Sequence, residues 1–359
     1  MILLHIVPVE YWEKAQAKAE YRSGTFEYDG FIHCSRPDQA LRVAQARFAG
    51  RRDLLLLCID PQKVHAPVWY ENLEGGASLF PHIYGPLNLD AVLGAPAFLP
   101  GADGIFQLPP EVETLQTQMQ PALPQRAASL LEQFPGGIVA DVATGGGGFL
   151  GLLAETLPEI HLLAGIDTNP APARNPNGPF AQGKAAFLQM DAQRLGLADG
   201  CLDTGAIANS LHHLEEPLSA LRELRRAIQA GGRCILQEMY RDGQNLAQQT
   251  HVLLHHWWAA VDTGRNICHH ITYTRAEIIN LIEQTGWRRV MFIDLADLSG
   301  DPRDPQLLEE LEAIITRYQG FAANQPQAAA LHAEGEQLRA RVRQVGFQNA
   351  SALLIVAEK

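Results

Sequence analysis

Apolar residues along this chain fall into two different rhythms. Beyond residue 115 they form short continuous runs, Ile138–Ala143, Leu162–Ile166, Ala186–Leu188, Thr204–Ala208 and Arg233–Gln237, with helical patterns between several of them. Runs of that length without polar alternation are strands covered on both faces, and a β-α-β alternation of them predicts a parallel sheet between helices. Arg289–Ile293 and Ala352–Ala357 are the last strands of this kind. Before residue 115 the runs Leu3–Val7, Leu54–Ile59 and Ala91–Leu93 alternate with one helical stretch, Pro37–Phe48, which reads as a small α+β domain. The turn-rich segments Leu99–Gly104 and Leu108–Glu111 separate the two rhythms, so the division is expected at 1–115 and 116–359.

Two segments break the second rhythm and read as helical insertions, at about 244–270 and 300–346. The first contains a helix predicted from Gln244 to Asp262, and the second a pair of helices between Pro305 and Val345. Thr274 followed by Glu277 three residues later is a capping box, and Gly286 ends the helix it opens.

Composition narrows the class. At 359 residues, 47% hydrophobic and 19% charged, the chain can bury two cores, and it has no apolar run of the roughly 18 residues a membrane span needs. A net charge of −12 leaves no basic footprint for a nucleic-acid backbone. The first residues, Met-Ile-Leu-Leu-His, lack a basic stretch followed by a long apolar one, so a cytoplasmic location is expected. Cys34, Cys58, Cys201, Cys234 and Cys268 are odd in number and widely spaced, which argues for reduced thiols and against a disulfide framework or a CxxC zinc site.

The chemistry is concentrated after the first buried strand of the larger part. Asp141 lies on that strand, and Ala143-Thr144-Gly145-Gly146-Gly147-Gly148 follows it before a helix begins near Phe149. Glycines at such a turn let a ligand approach backbone that carries no Cβ atoms. A dinucleotide site would require GxGxxG with its pyrophosphate at the helix N-terminus; here the run is Ala-Thr-Gly-Gly-Gly-Gly with an acid, Asp141, on the strand itself, which favours another ligand.

This segment resembles motif I of the class I S-adenosylmethionine-dependent methyltransferases, with Ala143 in place of the usual first glycine. The likeness continues through Gly165-Ile166-Asp167, Gln189-Met190-Asp191-Ala192, Ala208-Asn209-Ser210-Leu211-His212-His213 and Gly231-Gly232-Arg233, over roughly residues 120–295 and the final strand. It implies a Rossmann-like seven-stranded methyltransferase sheet with helical cap insertions. It also implies S-adenosyl-L-methionine as cofactor, with S-adenosyl-L-homocysteine as product. Asp141, Ala143, Thr144, Gly145 and Gly147 would shape the loop. Asp167 would bind the ribose, with Thr168 beside it, Asp191 and Ala192 would hold the adenine, and Asn209 and Ser210 would lie along the methionine. Nucleic-acid methyltransferases of this fold resemble one another in an Asn/Asp-Pro-Pro-Tyr box or a Pro-Cys at this last position. Neither occurs here, so a small-molecule acceptor is expected, and no nucleic acid or membrane partner.

Histidines supply the acceptor-side expectation. His251, His255, His256, His269 and His270 place five of the chain's 13 histidines within twenty residues. On the predicted helix, Gln248, His251, His255 and Asp262 form a polar stripe, expected opposite Trp258. The helix follows the strand ending at Glu238-Met239-Tyr240, on the sheet edge where α/β proteins bind ligands, and would form a lid. Glu238, Tyr240, Trp257 and His269 are then expected to line the acceptor pocket, with His251, His255 and His213 as catalytic residues. Three readings stay open for the stripe: a general base, a metal pair of His251 and His255 completed by Glu238, Asp262 or His269, and an ordinary solvated face or homodimer contact.

Residues 1–95 resemble a family of small bacterial domains of uncharacterised function, through His5-Ile6, Gly30-Phe31-Ile32-His33-Cys34-Ser35 and Leu79-Phe80-Pro81-His82-Ile83-Tyr84-Gly85-Pro86-Leu87. The resemblance implies a fold similar to ADP-ribosyltransferases, with a split sheet and a nucleotide-sized cleft. His5, His33, Ser35, His82 and Tyr84 are expected to converge there, near the charges of Arg36, Arg42, Arg47, Arg51 and Arg52, whereas Cys34 is expected to be buried. Two further readings follow from this domain: catalysis on a phosphorylated or NAD-like ligand, or a scaffolding protein whose methyltransferase part only senses cofactor.

Overall fold

The computed structural model describes every residue except 74–77, 120, 123, 172–179, 181, 182 and 184. It divides into two units, Met1–Pro121 with Arg288–Met291, and Ala122–Trp287 with Phe292–Lys359.

The first unit is a small α+β domain. Its elements are β1 (Leu3–Pro8), α1 (Val9–Gln16), β2 (Glu20–Tyr21), α2 (Phe26–Asp29), β3 (Ile32–His33), α3 (Pro37–Arg47), β4 (Leu54–Ile59), β5 (Val68–Glu71), β6 (Phe80–Ile83), β7 (Leu87–Asn88), β8 (Val92–Gly94) and α4 (Glu111–Thr117). β1, β4 and β8 pair antiparallel in that order, as do β3, β6 and β5. α3 turns Ala40 and Ala44 onto Leu4, Ile6, Leu54 and Leu56, small residues that let the helix sit close to the strands. Val112 and Leu115 of α4 join the same core, which carries the unit past residue 115, the division expected from the turn-rich segments.

The second unit is a mostly parallel α/β sheet with helices between its strands. It contains α5 (Pro124–Leu131), β9 (Gly137–Val142), α6 (Gly148–Thr156), β10 (Ile160–Asp167), β11 (Ala186–Gln189), β12 (Leu202–Ala208), α7 (Pro217–Ala227), β13 (Ile228–Met239), α8 (Leu246–Thr263), α9 (Arg275–Glu283), β14 (Arg289–Leu295), α10 (Pro305–Ala322), α11 (Ala328–Val345) and β15 (Ala352–Glu358). The strand order is β11-β10-β9-β12-β13-β15-β14. β9 to β13 run parallel to their neighbours, and β15 runs antiparallel to β13. Successive strands step outward from β9 on one side and from β12 on the other. The order switches between those two strands, and the C-terminal ends beside such a switch are where sheets of this kind bind ligands. α7 places Ala220, Leu221, Leu224 and Ala227 on one face, at helical spacing against the sheet.

The helical insertions pack together. Leu254, Trp257 and Val261 of α8 share a buried core with Leu311 and Ile315 of α10 and Leu338 and Val342 of α11. Gly335 makes this possible, since a Cβ there would stand 2.8 Å from Trp257 Cζ2. α8 begins at Leu246 and not at Gln244, because Asn245 caps it: its side chain accepts from Gln248 N–H at 2.9 Å and its own N–H donates to Gln248 Oε1 at 3.1 Å. Thr274 and Glu277 form the same device on α9. Among the described residues no helix is long and apolar enough to cross a membrane.

Candidate functional site

The loop after β9 is held by the acids around it. Ala143, Gly145 and Gly147 have φ of 54°, 49° and 82°, so the chain turns through the left-handed region three times in five residues. Ala143 is the one with a side chain, and it pays about 1–2 kcal/mol for that conformation. Asp167, at the end of β10, accepts from Gly145 N–H at 2.9 Å with one carboxylate oxygen and from Asn169 N–H at 2.8 Å with the other. Thr144 Oγ1 donates to Asp141 Oδ2 at 2.7 Å. Among the described residues Asp141 Oδ1 makes no hydrogen bond, and burial pushes this carboxyl up to about 6 against the pull of Thr144 and of the Leu150 backbone. Among the described residues, no atom beyond the chain neighbours comes within 4 Å of the places where Cβ atoms of Gly145, Gly146 or Gly148 would stand.

Asp191 and Thr168 are exposed on the same edge. Asp191 Oδ1 accepts from Gln193 N–H at 2.9 Å, and Thr168 O from Gln189 Nε2 at 2.9 Å. Ala192 is buried beside Asp191. Asn209, at φ 46°, donates its N–H to Gln237 O and accepts at Oδ1 from Met239 N–H. Ser210 Oγ lies 2.7 Å from Ala208 O and 3.1 Å from Ala143 O, which ties the segment after β12 to the glycine loop.

Beyond Ser210 the chain enters a histidine cluster. His212 and His213 come from the turn after β12, His255 from α8, and His269 from the segment before α9. One ring nitrogen of each lies within 4.8 Å of the others. His212, His255 and His269 are buried, and His213 reaches solvent. Two carboxylates orient the rings from behind. Glu238, 0% exposed at the end of β13, lies 2.6 Å from His212 Nδ1 and accepts from Ser210 and Leu211 N–H at 3.1 and 2.9 Å. Asp262 lies 2.9 Å from His269 Nδ1 and accepts from Arg265 at 2.9 Å. His269 Nε2 is 3.3 Å from His255 Nδ1. Burial, reinforced by the neighbouring imidazoles, lowers His255 to about 2; burial also lowers His269, against the pull of Asp262, and His213, though exposed at one edge, is lowered by the desolvation of its inner side and by His212 and His269. These three rings are therefore neutral at pH 7.

Several expectations change here. His251 is not in the cluster: its Nδ1 accepts from Ala350 N–H at 2.9 Å and its ring lies 4.9 Å from Phe347, so the expected His251/His255 metal pair does not form. Glu238 cannot face an acceptor, because its carboxylate is enclosed and committed to three donors. Trp257 is a core anchor and not a pocket wall, 1% exposed, with Nε1 donating to Leu331 O. Tyr240 is buried, and burial pushes its hydroxyl pKa up. Trp258 lies on the histidine side and not opposite it, its ring 5.8 Å from that of His255, because i and i+3 share a helix face. His212 was missed as a site residue; its adjacency to His213 after a strand end was the available signal.

In the first unit, a cavity of about 690 Å³ is lined by His5, Tyr21, His33, Ser35, Arg47 and His82, among others. His5 Nδ1 meets His33 O at 2.6 Å and Nε2 meets Tyr21 OH at 2.7 Å, while Tyr84 donates to Glu71. Arg36 pairs with Asp38 and Arg51 with Asp53, which spends part of the basic charge on surface ion pairs. Cys34 is buried, and burial raises its pKa.

Comparison with known proteins finds a match in each part. Residues 6–95 match the family described as a protein of unknown function (DUF952), and residues 140–236 match the model described as a methyltransferase domain. An uncharacterised 37.1 kDa protein from a Streptomyces fradiae transposon is 31% identical over 113 residues, 30% of this chain; the chain spans about a third of that relative, 32%. Among solved structures, protein CC0527 from Caulobacter crescentus is 30% identical, with 32% of this chain and 99% of that one covered and a TM-score of 0.29. A SAM dependent methyltransferase from Archaeoglobus fulgidus is 16% identical, with 66% and 90% covered and a TM-score of 0.39.

Proposed function

The chain joins a domain of the uncharacterised DUF952 family to a methyltransferase domain, and on that premise we propose that it transfers a methyl group from S-adenosylmethionine to a small-molecule acceptor in the cytoplasm. The observation that carries this reading is the bond from Gly145 N–H to Asp167. It fixes an acid and a glycine loop together at the switch between β9 and β12. The residues fit the cofactor: among the described residues nothing crowds the glycine backbone, and Asp141 keeps a buried oxygen that makes no hydrogen bond. Asp167 and Thr168 would hold the ribose, Asp191 and Ala192 the adenine, and Asn209 and Ser210 the methionine, around a loop shaped by Asp141, Ala143, Thr144, Gly145 and Gly147. Bound there, the cofactor supplies an electrophilic sulfonium methyl, and the protein's share is to align a nucleophile with it.

The histidine cluster is the acceptor side. Neutral imidazoles offer lone pairs, and rings held this far below the usual histidine range take a Lewis acid more readily than a proton at pH 7. That role falls to His213 and His255, with His269 behind them, and no longer to His251, whose Nδ1 is already occupied by a backbone N–H. Net charge −12 and Asn209-Ser210-Leu211 in place of a Pro-Pro-Tyr box support a small acceptor over nucleic acid. Incubating the full chain with methyl-labelled S-adenosylmethionine and pooled cytoplasmic small molecules tests the proposal. Label in a small-molecule product, absent with Asp167→Ala, is expected. Stoichiometric donor binding with no label transferred to any pool would instead mark a cofactor-sensing protein.

A further inference from the structure

Four imidazoles whose ring nitrogens gather within 4.8 Å of one another are an unusual filling for a largely buried space, and the way they are oriented says what would fill it. His212 presents Nδ1 to Glu238, so its Nε2 points away from the carboxylate; that nitrogen is fully buried and has no hydrogen-bond partner among the described residues. His269 repeats the arrangement, with Nδ1 on Asp262 and Nε2 turned toward His255. A carboxylate behind a histidine, fixing its tautomer and leaving the other nitrogen's lone pair forward, is the supporting arrangement of metal-ligating histidines. It occurs twice here, from two different elements, β13 and α8.

The spacing agrees. Two imidazole nitrogens each about 2.0–2.1 Å from one ion at a tetrahedral angle stand about 3.3–3.4 Å apart. His255 Nδ1 and His269 Nε2 are 3.3 Å apart, long for an N–H···N hydrogen bond and right for two ligands of one ion. All four ligand atoms lie within 4.8 Å of one another, so a small inward movement of His212 and His213 closes the set.

We propose that His212, His213, His255 and His269 bind one divalent transition-metal ion of the zinc class, with Glu238 and Asp262 as positioning residues. The all-nitrogen donor set selects zinc, cobalt, nickel, copper or ferrous iron over calcium or magnesium, which take oxygen ligands. His213, the exposed member, is the side from which the ion enters and from which a further ligand reaches it. Because Ser210 bonds the glycine loop and His212 follows two residues later, the ion sits beside the methyl-donor site and takes the Lewis-acid role on the acceptor side. The binding itself does not depend on the methyl-transfer reading.

The test uses the full chain stripped with a chelator and titrated with zinc(II) in competition with a chromophoric chelator, then with cobalt(II) followed by its visible absorption. One equivalent per chain and a tetrahedral cobalt spectrum are expected. His255→Ala and His213→Ala should each weaken zinc at least tenfold, Asp262→Asn should weaken it about 10–100-fold, and His251→Ala should leave it unchanged. His213 is exposed, so His213→Ala reports on the site even where His255→Ala fails to fold. Absence of zinc binding below millimolar concentration, unchanged affinity in His213→Ala, or a loss in His251→Ala equal to that in His255→Ala would overturn the proposal. Titrations of S-adenosylmethionine into the same stripped protein separate failure of this site from failure of the methyl-donor reading.

Discussion

Glu238 is the residue on which the histidine side of the site depends, and its replacement has a calculable cost. One carboxylate oxygen, Oε2, accepts from Ser210 and Leu211 N–H; the other, Oε1, faces His212 Nδ1. Leucine in its place leaves three buried donors without an acceptor at a position that is 0% exposed. At about 1–3 kcal/mol for each unsatisfied group, and allowing for relaxation, Glu238→Leu should lower stability by roughly 3–5 kcal/mol. Glu238→Gln keeps an oxygen for the two backbone donors and loses the charge, so roughly 1–2 kcal/mol is expected. The amide must then donate to His212 Nδ1, which moves the imidazole proton to Nε2 and aims an N–H into the cluster. Chemical denaturation of the full chain, with nitrogen-15 imidazole spectra for the tautomer, measures both effects. A Glu238→Leu variant within about 0.5 kcal/mol of the parent, the range of a neutral surface change, would refute the reasoning. So would a glutamine variant less stable than the leucine one.

Further outcomes follow from other residues. Asp141 has a pKa raised from 3.8 to about 6 by burial, so the native state binds the extra proton and this group's contribution to stability falls as pH rises from about 4 to about 6. Asp141→Asn should therefore gain on the parent across that window and hold a constant advantage of about 1–3 kcal/mol above it, read from urea midpoints at a series of pH values; a difference that does not change with pH would contradict this. Gly335→Ala should cost about 1–3 kcal/mol in thermal or chemical unfolding, because the new methyl meets Trp257 and Gln319 at 2.8 and 2.9 Å. His251→Ala should cost about 1–3 kcal/mol by leaving Ala350 N–H without its acceptor, while labelled methyl transfer persists.

The two parts of the chain were unequally legible in sequence. β9, β10, β12 and β13 were readable because a strand buried on both faces writes itself as an unbroken apolar run, and the Thr274–Glu277 box because capping is local. The glycine loop and Asp167 were found the same way, since each depends on a few consecutive residues at a strand end. The histidine site was only half found. Spacing along α8 brought His251 and His255 onto one face, but which of them enters the site is decided by β15 and the residues before it, where Ala350 N–H captures His251. His212 joins through Glu238, 26 residues away in sequence, and no local periodicity reports such a pairing. Trp257 and Trp258 show the same limit: adjacent on a helix they point to different sides, and only the arrival of α10 and α11 made Trp257 the core residue. In the first unit the strand ends carrying His5, His33 and His82 were visible, whereas Tyr21, which closes on His5, gave no signal from its position.

The central claim is that the acid ending β10 and the glycine loop after β9 form a site for S-adenosylmethionine. Isothermal titration of the full chain with S-adenosylmethionine and with its demethylated product tests it most directly, against Asp167→Ala. Removing a charge-assisted acceptor worth about 1.5–3 kcal/mol should weaken both ligands roughly 10–150-fold, from single-site binding in the parent. No heat with either ligand in the parent, or unchanged affinity in Asp167→Ala, would contradict the account.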